Sequence, residues 1–168
     1  MAYFNYLNRI NYDIKGVAGN PQLTPVTNIL QRARMKSFFV NHVIYFTQYL
    51  VNDGETPEII ANEFYGDPDL HWVVLFAQRI TNPYYDWPMH YFDLVKYATK
   101  KYENDGGLTG VHHYEDEEKL VVDIWAAGAV PITNIEYEEK INDKKREIDL
   151  VRPDQINNIV KEMKNILR

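Results

Sequence analysis

Two helices stop and start within two residues of each other near the middle of the chain, and this juxtaposition constrains the fold more than any other feature. Thr56 can accept a backbone N–H as an N-cap, and Pro57 holds the first helical position, where a missing donor costs nothing. Ile60, Ala61 and Phe64 fall on one face, and Gly66 supplies the left-handed conformation that ends a helix. The device repeats at once, with Asp67 as cap, Pro68 leading and Asp69 placing a carboxylate near the positive end of the next helix dipole. The spacing predicts helices over 57–65 and 68–79, with a strand over 45–51 ahead of them.

The second helix carries more apolar surface than the first can cover. Leu70, Val73, Val74 and Ala77 form one face, while Trp72, Phe76 and Ile80 form a separate row. A Pro-bounded aromatic turn follows, Asn82-Pro83-Tyr84-Tyr85-Asp86-Trp87. Exposed aromatic rows are seldom tolerated on soluble monomers, so the candidate contact surface is Trp72, Phe76, Tyr84, Tyr85 and Trp87. An alternative of nearly equal weight packs these residues inside, against a helix over 89–103. Thirteen tyrosines fit either use, since Tyr brings a large contact area with a polar tip.

The rest of the chain divides around this module. Residues 1–40 read as an extended N-terminal arm with little periodicity up to about Thr24, broken by Gly16, Gly19, Asn20 and Pro21 and followed by a short helical turn over 26–32. Residues 41–88 hold the central module, and residues 89–168 a helix, a β-hairpin and C-terminal helices. The 89–103 helix ends at Asn104-Asp105-Gly106-Gly107, and the hairpin joins 111–114 to 119–125. A helix over 134–146 has acids first and Lys/Arg last, matching its dipole, with Glu136 and Lys140 at i, i+4, although Ile135, Tyr137 and Ile141 also fit strand alternation. After an extended piece over 148–151, Asp154 is expected to cap a last helix striped with Ile156, Ile159, Val160, Met163 and Ile166-Leu167. The two ends are expected to act as clasps on other subunits, through Tyr3 and Phe4 in the arm and Ile159 and Met163 in the last helix, with packing of that helix on its own core an alternative of about equal weight.

Several chemistries are disfavoured. Without Cys there are no disulfides or thiolate zinc sites, in keeping with a reducing cytoplasm. The five histidines show no His-x-x-x-His spacing, and on a regular strand His112 and His113 would point to opposite faces. No nucleophile motif, phosphate-cradling loop or singled-out carboxylate pair occurs, so no catalytic, cofactor or metal residues are expected. The net charge of −6 hides a division: residues 1–51 carry five Lys/Arg against one acid, and residues 52–86 carry seven acids against Arg79. An acidic centre is a poor nucleic-acid binder. The apolar run over 38–51 is interrupted by Asn41, His42, Thr47 and Gln48, so no membrane partner is expected.

Two resemblances rest on these residues. Tyr49-x-Val51-x-x-Gly54-Glu55-Thr56, with Ile60-Ala61 and Tyr65-Gly66, resembles the opening of a LysM module, the βααβ domain that binds N-acetylglucosamine polymers. Glu55 stands for the usual Asp, one residue is inserted before Tyr65, Gln78 replaces a common Asn, and no closing strand follows Ile80. The resemblance implies the scaffold and speaks against glycan binding. The wider resemblance, from about Val26 onward, is to the small baseplate wedge subunit of contractile-tailed bacteriophages, the gene-53 type. It is carried by Pro57-Glu58-x-x-Ala61-Asn62, Tyr65-Gly66-Asp67-Pro68-x-Leu70-x-Trp72-Val73-x-Leu75, Asn82-Pro83-Tyr84-Tyr85-x-Trp87 and Lys101-Tyr102-x-Asn104-x-Gly106-Gly107. That family implies a virion structural protein of the tail baseplate, assembled in the host cytoplasm in multiple copies. Its partners would be other wedge and hub proteins, and it would catalyse nothing. The alternative is a LysM-type peptidoglycan-binding module acting in cell-wall penetration. The expected fold class is α+β: a LysM-like β-α-α module elaborated with the arm, a further helix, the β-hairpin and a C-terminal helical segment.

Overall fold

The structure is a computed structural model that describes residues 6–16, 22–31 and 43–167. In chain order the strands are β1 (Arg9–Asp13), β2 (Leu23–Thr27), β3 (Phe46–Leu50), β4 (Val111–Glu115), β5 (Val121–Val122), β6 (Val130–Thr133) and β7 (Glu147–Val151). The α-helices are α1 (Pro57–Tyr65), α2 (His71–Ala77), α3 (Pro83–Asp86), α4 (Tyr91–Lys101), α5 (Asn134–Arg146) and α6 (Ile156–Ile166). The fold is α+β, as expected. The chain forms two compact units, one including Thr56–Thr81 and the residues from Asp149 onward, the other combining Tyr49–Glu55 with Asn82–Ile148.

In the first unit the helix boundaries follow the caps. Thr56 Oγ1 accepts from Ile59 N–H at 3.4 Å, and Gly66 closes α1 with φ 74°. Asp67 accepts from Asp69 N–H at 2.9 Å. The second helix is shorter than expected: Pro68–Leu70 is a 3₁₀ turn, α2 ends at Ala77, and Arg79 takes φ 57°. Ile60, Ala61, Val73 and Val74 are fully buried, together with Leu150 and Val151 of β7. The closing strand absent after Ile80 is thus supplied from the far end of the chain. β3 pairs with β7, and Val51 N–H to Arg146 C=O and Arg152 N–H to Tyr45 C=O, both 2.9 Å, bracket an antiparallel ladder. Gln78 Nε2 ties the end of α2 to Asp149 C=O at 2.6 Å.

Four expectations for this unit are corrected. The segment up to Thr24 is not irregular throughout: β1 and β2 form an antiparallel hairpin in register from Arg9↔Thr27 to Asp13↔Leu23. The helical turn over 26–32 gives way at its start to strand, because Val26 and Thr27 pair with Ile10 and Arg9; residues 32–42 lie outside the described set. Pro25 fits because a two-stranded ribbon leaves outer edges where no N–H is needed. The strand expected over 45–51 begins only at Phe46, after a 3₁₀ turn at Val43–Tyr45. Asp154 does not cap the last helix; it sits inside the 3₁₀ turn Pro153–Gln155, accepts from Gln155 Nε2 at 2.9 Å and pairs with Arg152 at 3.2 Å.

The second unit is held by a polar helix. α5 has no apolar stripe; its inward face is Asn134, Glu138, Asn142 and Arg146, one residue per turn, the first three at most 4% exposed. Asn134 Nδ2 donates to the carbonyls of Asp105 (3.0 Å) and Gly107 (2.7 Å). Glu138 accepts from Lys101 Nζ (2.6 Å) and Tyr102 OH (2.7 Å). Asn142 accepts from Met89 N–H (2.7 Å) and donates to Met89 C=O (2.9 Å), pairing an entire peptide unit's worth of polar groups. Such groups are stable inside because each finds its partner. The helix starts with a capping box between Thr133 and Glu136, whose carboxyl Thr133 holds below its usual range.

The sheet of this unit has the order β5-β4-β6. The hairpin expected over 119–125 shrinks to Val121–Val122, and the larger partner of β4 is the unexpected β6. A register shift between Val111 and His113 makes His112 a bulge. That corrects the expectation of opposed rings, since Nδ1 of His112 lies 2.8 Å from Nδ1 of His113.

Candidate interaction surface

The aromatic turn is a rigid mount for two outward rings. Asn82 Oδ1 accepts from Tyr84 N–H at 3.2 Å and Pro83 opens α3, so the turn has its own cap. The Trp87 indole donates to Glu55 C=O at 2.9 Å, and Lys145 Nζ donates to Tyr85 C=O at 2.6 Å. Glu55 is fixed in turn by Tyr49 OH and by the backbone and side chain of Asn52. Burial pushes the Glu55 carboxyl up, and these donors outweigh it, holding the group below its usual range. With the backbone tied down, Tyr84 is 90% and Tyr85 72% exposed. Two ordered aromatic rings in water, already stripped of backbone freedom, are suited to contact.

The next segment of the same unit repeats the design. His90 caps α4 by accepting from Phe92 N–H at 3.2 Å, and Asp53 accepts from Tyr91 N–H at 3.0 Å. Arg146 reaches both Asp53 (2.8 Å) and Val51 C=O (3.2 Å), and His90 Nε2 lies 3.2 Å from the second oxygen of Asp53. The Arg146 hydrogen bond is the main reason the Asp53 carboxyl lies below its usual range. On this framework Phe92 stands exposed, stacked on His90, with Tyr91 beside it. Trp125 is also exposed, at 88%. Sequence reasoning missed Phe92 and Trp125. The available signal was their place on the side of α4 away from Leu94 and Ala98, and in a stretch without helical period.

The other expected contact residues fall elsewhere. Trp72 is buried, meeting the Tyr6 ring edge-on at 6.0 Å, and Phe76 is half-buried beside it. They fill the first unit from within, Trp72 against Tyr6 of the N-terminal segment. Tyr6 and Leu7 are themselves buried, and Lys164 of α6 lies 5.3 Å over the Tyr6 ring. Met163 is buried and Ile159 half-buried. Tyr3 and Phe4 lie outside the described residues. Among the described residues no group of three or more His, Asp or Glu side chains is placed to hold a metal ion, and no helix is long and apolar enough to cross a membrane.

Among the described residues, this α+β chain displays exposed rings at Tyr84, Tyr85 and Phe92 on hydrogen-bonded frameworks. The chain belongs to the family described as Base plate wedge protein 53, whose family model matches residues 2–125. It is 31% identical over 120 residues to Baseplate wedge protein gp53 of Enterobacteria phage T4, a match covering 70% of this chain. The same match covers 60% of that relative's length.

Proposed function

We propose that the chain is a structural component of the baseplate wedge of a contractile phage tail. It joins wedge subunits around the tail hub, in multiple copies, and carries no catalytic step. The observation that supports this most is membership of the wedge family over residues 2–125. The contact surface in this reading is centred on Tyr84 and Tyr85, with Trp87 as their anchor and Tyr3 and Phe4 as a second contact in the N-terminal segment. Trp72, Phe76, Ile159 and Met163 keep the first unit in shape. Assembly takes place in the host cytoplasm and the product resides in the virion tail.

The test is genetic complementation read by electron microscopy. Phage lacking this chain should yield no complete baseplates, wild-type chain supplied in trans should restore them, and the double change Tyr84→Ala, Tyr85→Ala should fail to restore them while remaining folded. Normal baseplates in the absence of the chain would overturn the reading. The β-α-α-β order built from β3, α1, α2 and β7 supports a LysM-like scaffold in the first unit. Glycan binding is the property this reading does without, so purified peptidoglycan should not retain the protein; saturable retention would favour a role in wall penetration instead.

A further inference from the structure

The bulge in β4 leaves two imidazoles in contact, and that contact admits a limited number of protons. The Nδ1 atoms of His112 and His113 lie 2.8 Å apart, a distance at which one nitrogen carries hydrogen and the other a lone pair. Beyond them, Nε2 of His113 lies 3.0 Å from Glu115 Oε1, and the other oxygen of that carboxylate pairs with Lys140 Nζ. An ionised carboxylate only accepts, so Nε2 of His113 carries hydrogen. His113 is then either neutral, with Nδ1 accepting from His112, or charged, with Nδ1 donating to a neutral His112. If both rings are charged, two N–H groups face each other and the contact is lost.

The pair is also the seam between β4 and α5. The His112 ring lies flat on Tyr137 of α5, centroids 3.8 Å apart at 12°, and Tyr137 meets His113 edge-on at 5.7 Å. Tyr102 of α4 meets His112 edge-on at 6.0 Å. The titratable and charged groups facing the pair are Lys101 and Tyr102 from α4, Tyr137, Glu138 and Lys140 from α5, and Glu115 on β4; the β6 residues opposite, Ile132 and Thr133, carry no charge. The side chains of His113 and Glu115 are 14% and 13% exposed. Desolvation, with His113 and Lys101 nearby, holds the His112 imidazole below its ordinary value, against the pull of Glu138.

We propose that His112 and His113 form a single-proton latch that fastens β4 to α5 through Tyr137 and opens when both rings become charged. The sign follows from linkage. A depressed imidazole gives its full stabilisation above the unfolded value of about 6.5, and loses it as pH falls through the lowered folded value. The Glu115 carboxyl, held below its usual range by Lys140 and His113, is lost only at lower pH.

The experiment is ring-proton NMR on the full chain combined with amide exchange at about pH 7.5 and about pH 5. The latch requires the second proton of the pair to be bound about tenfold or more less readily than by an unfolded imidazole. It also requires amides of 111–115 and 130–133 to lose protection in acid by about tenfold beyond the intrinsic rate change, while those of 57–65 do not. His112→Phe keeps a flat ring on Tyr137 and removes one proton site, so the acid-induced opening should vanish. Independent titration of the two rings at ordinary values would overturn the proposal, as would the same opening in His112→Phe. The ring titration is read on the wild-type chain, so the test stands even if the variant does not fold.

Discussion

Gly66 and Gly110 are both required, for different reasons that substitution separates. Gly66 sits at φ 74° with open space where a Cβ would stand, so Gly66→Ala should cost only the left-handed backbone, about 1 kcal/mol. Gly110 needs no left-handed backbone, but a Cβ there would meet Asp105 C=O at 2.5 Å and Asn134 Nδ2 at 2.9 Å. Something must move, and Gly110→Ala should cost about 2–3 kcal/mol. Urea denaturation of the two variants checks the ranking. Glu138 is a second residue whose role is local: the hydrogen bond it accepts is the main cause that raises the Lys101 ammonium above its usual range. Glu138→Ala leaves the Tyr102 hydroxyl without its acceptor and should cost about 2 kcal/mol by the same assay. Asp53, lowered by Arg146, contributes stability above the usual carboxylate value of about 3.9 and loses it as pH falls through its lowered value. Asp53→Asn should therefore lower stability at neutral pH and flatten the acid limb of the stability profile.

Cap signals are local and strand pairing is distant: the sequence placed β3, β4, β5 and β7 near their observed positions but not β1, β2 or β6. Thr56, Pro57 and Gly66 define α1 within a short stretch of chain, and α5 was read as helix from its charge gradient and the Glu136/Lys140 pair, over a strand alternative. β1 and β2 are five residues each with almost no burial, so no alternation marks them; only the pairing of one with the other makes them strands. β6 escaped for the same reason, with Val130 and Pro131 exposed. Of the candidate contact residues, only exposure was legible. Tyr84 and Tyr85 are exposed on their Pro-bounded turn as expected, whereas Trp72 has the same apolar character and is buried against Tyr6, sixty-six residues upstream. The polar face of α5 was the largest omission: Asn134, Glu138 and Asn142 look like solvent-facing residues because hydrophobic period is the usual sign of an inward side. Asn142→Ala removes both hydrogen bonds to Met89 and should cost about 2–3 kcal/mol, with the loss of exchange protection centred on the start of α4.

For the whole molecule, burial separates residues that hold the chain together from those that the proposed function assigns to contact. Trp72→Ala should cost about 3–5 kcal/mol and lower the melting temperature, with any assembly defect following from misfolding. Tyr85→Ala should leave the melting temperature of the free protein nearly unchanged and still weaken assembly, which sedimentation with its wedge partners would reveal. The pairing of β3 with β7 has a further consequence for the order of events on the ribosome. Val51 and Arg146 are 95 positions apart, a separation whose closure costs about 4 kcal/mol of chain entropy. The nascent chain makes α1 and α2 long before it makes Leu150 and Val151, which are fully buried in the finished protein. Until then Ile60, Val73 and Val74 lack the strand that seals them. The stretch 82–148 must find its own structure first, and by doing so it delivers Arg146 to Val51 and starts the zipper. A stalled or truncated product ending before Glu147 would display that unsealed apolar surface, making it a natural substrate for chaperones and proteases, so quality control of this chain turns on whether β7 has been made.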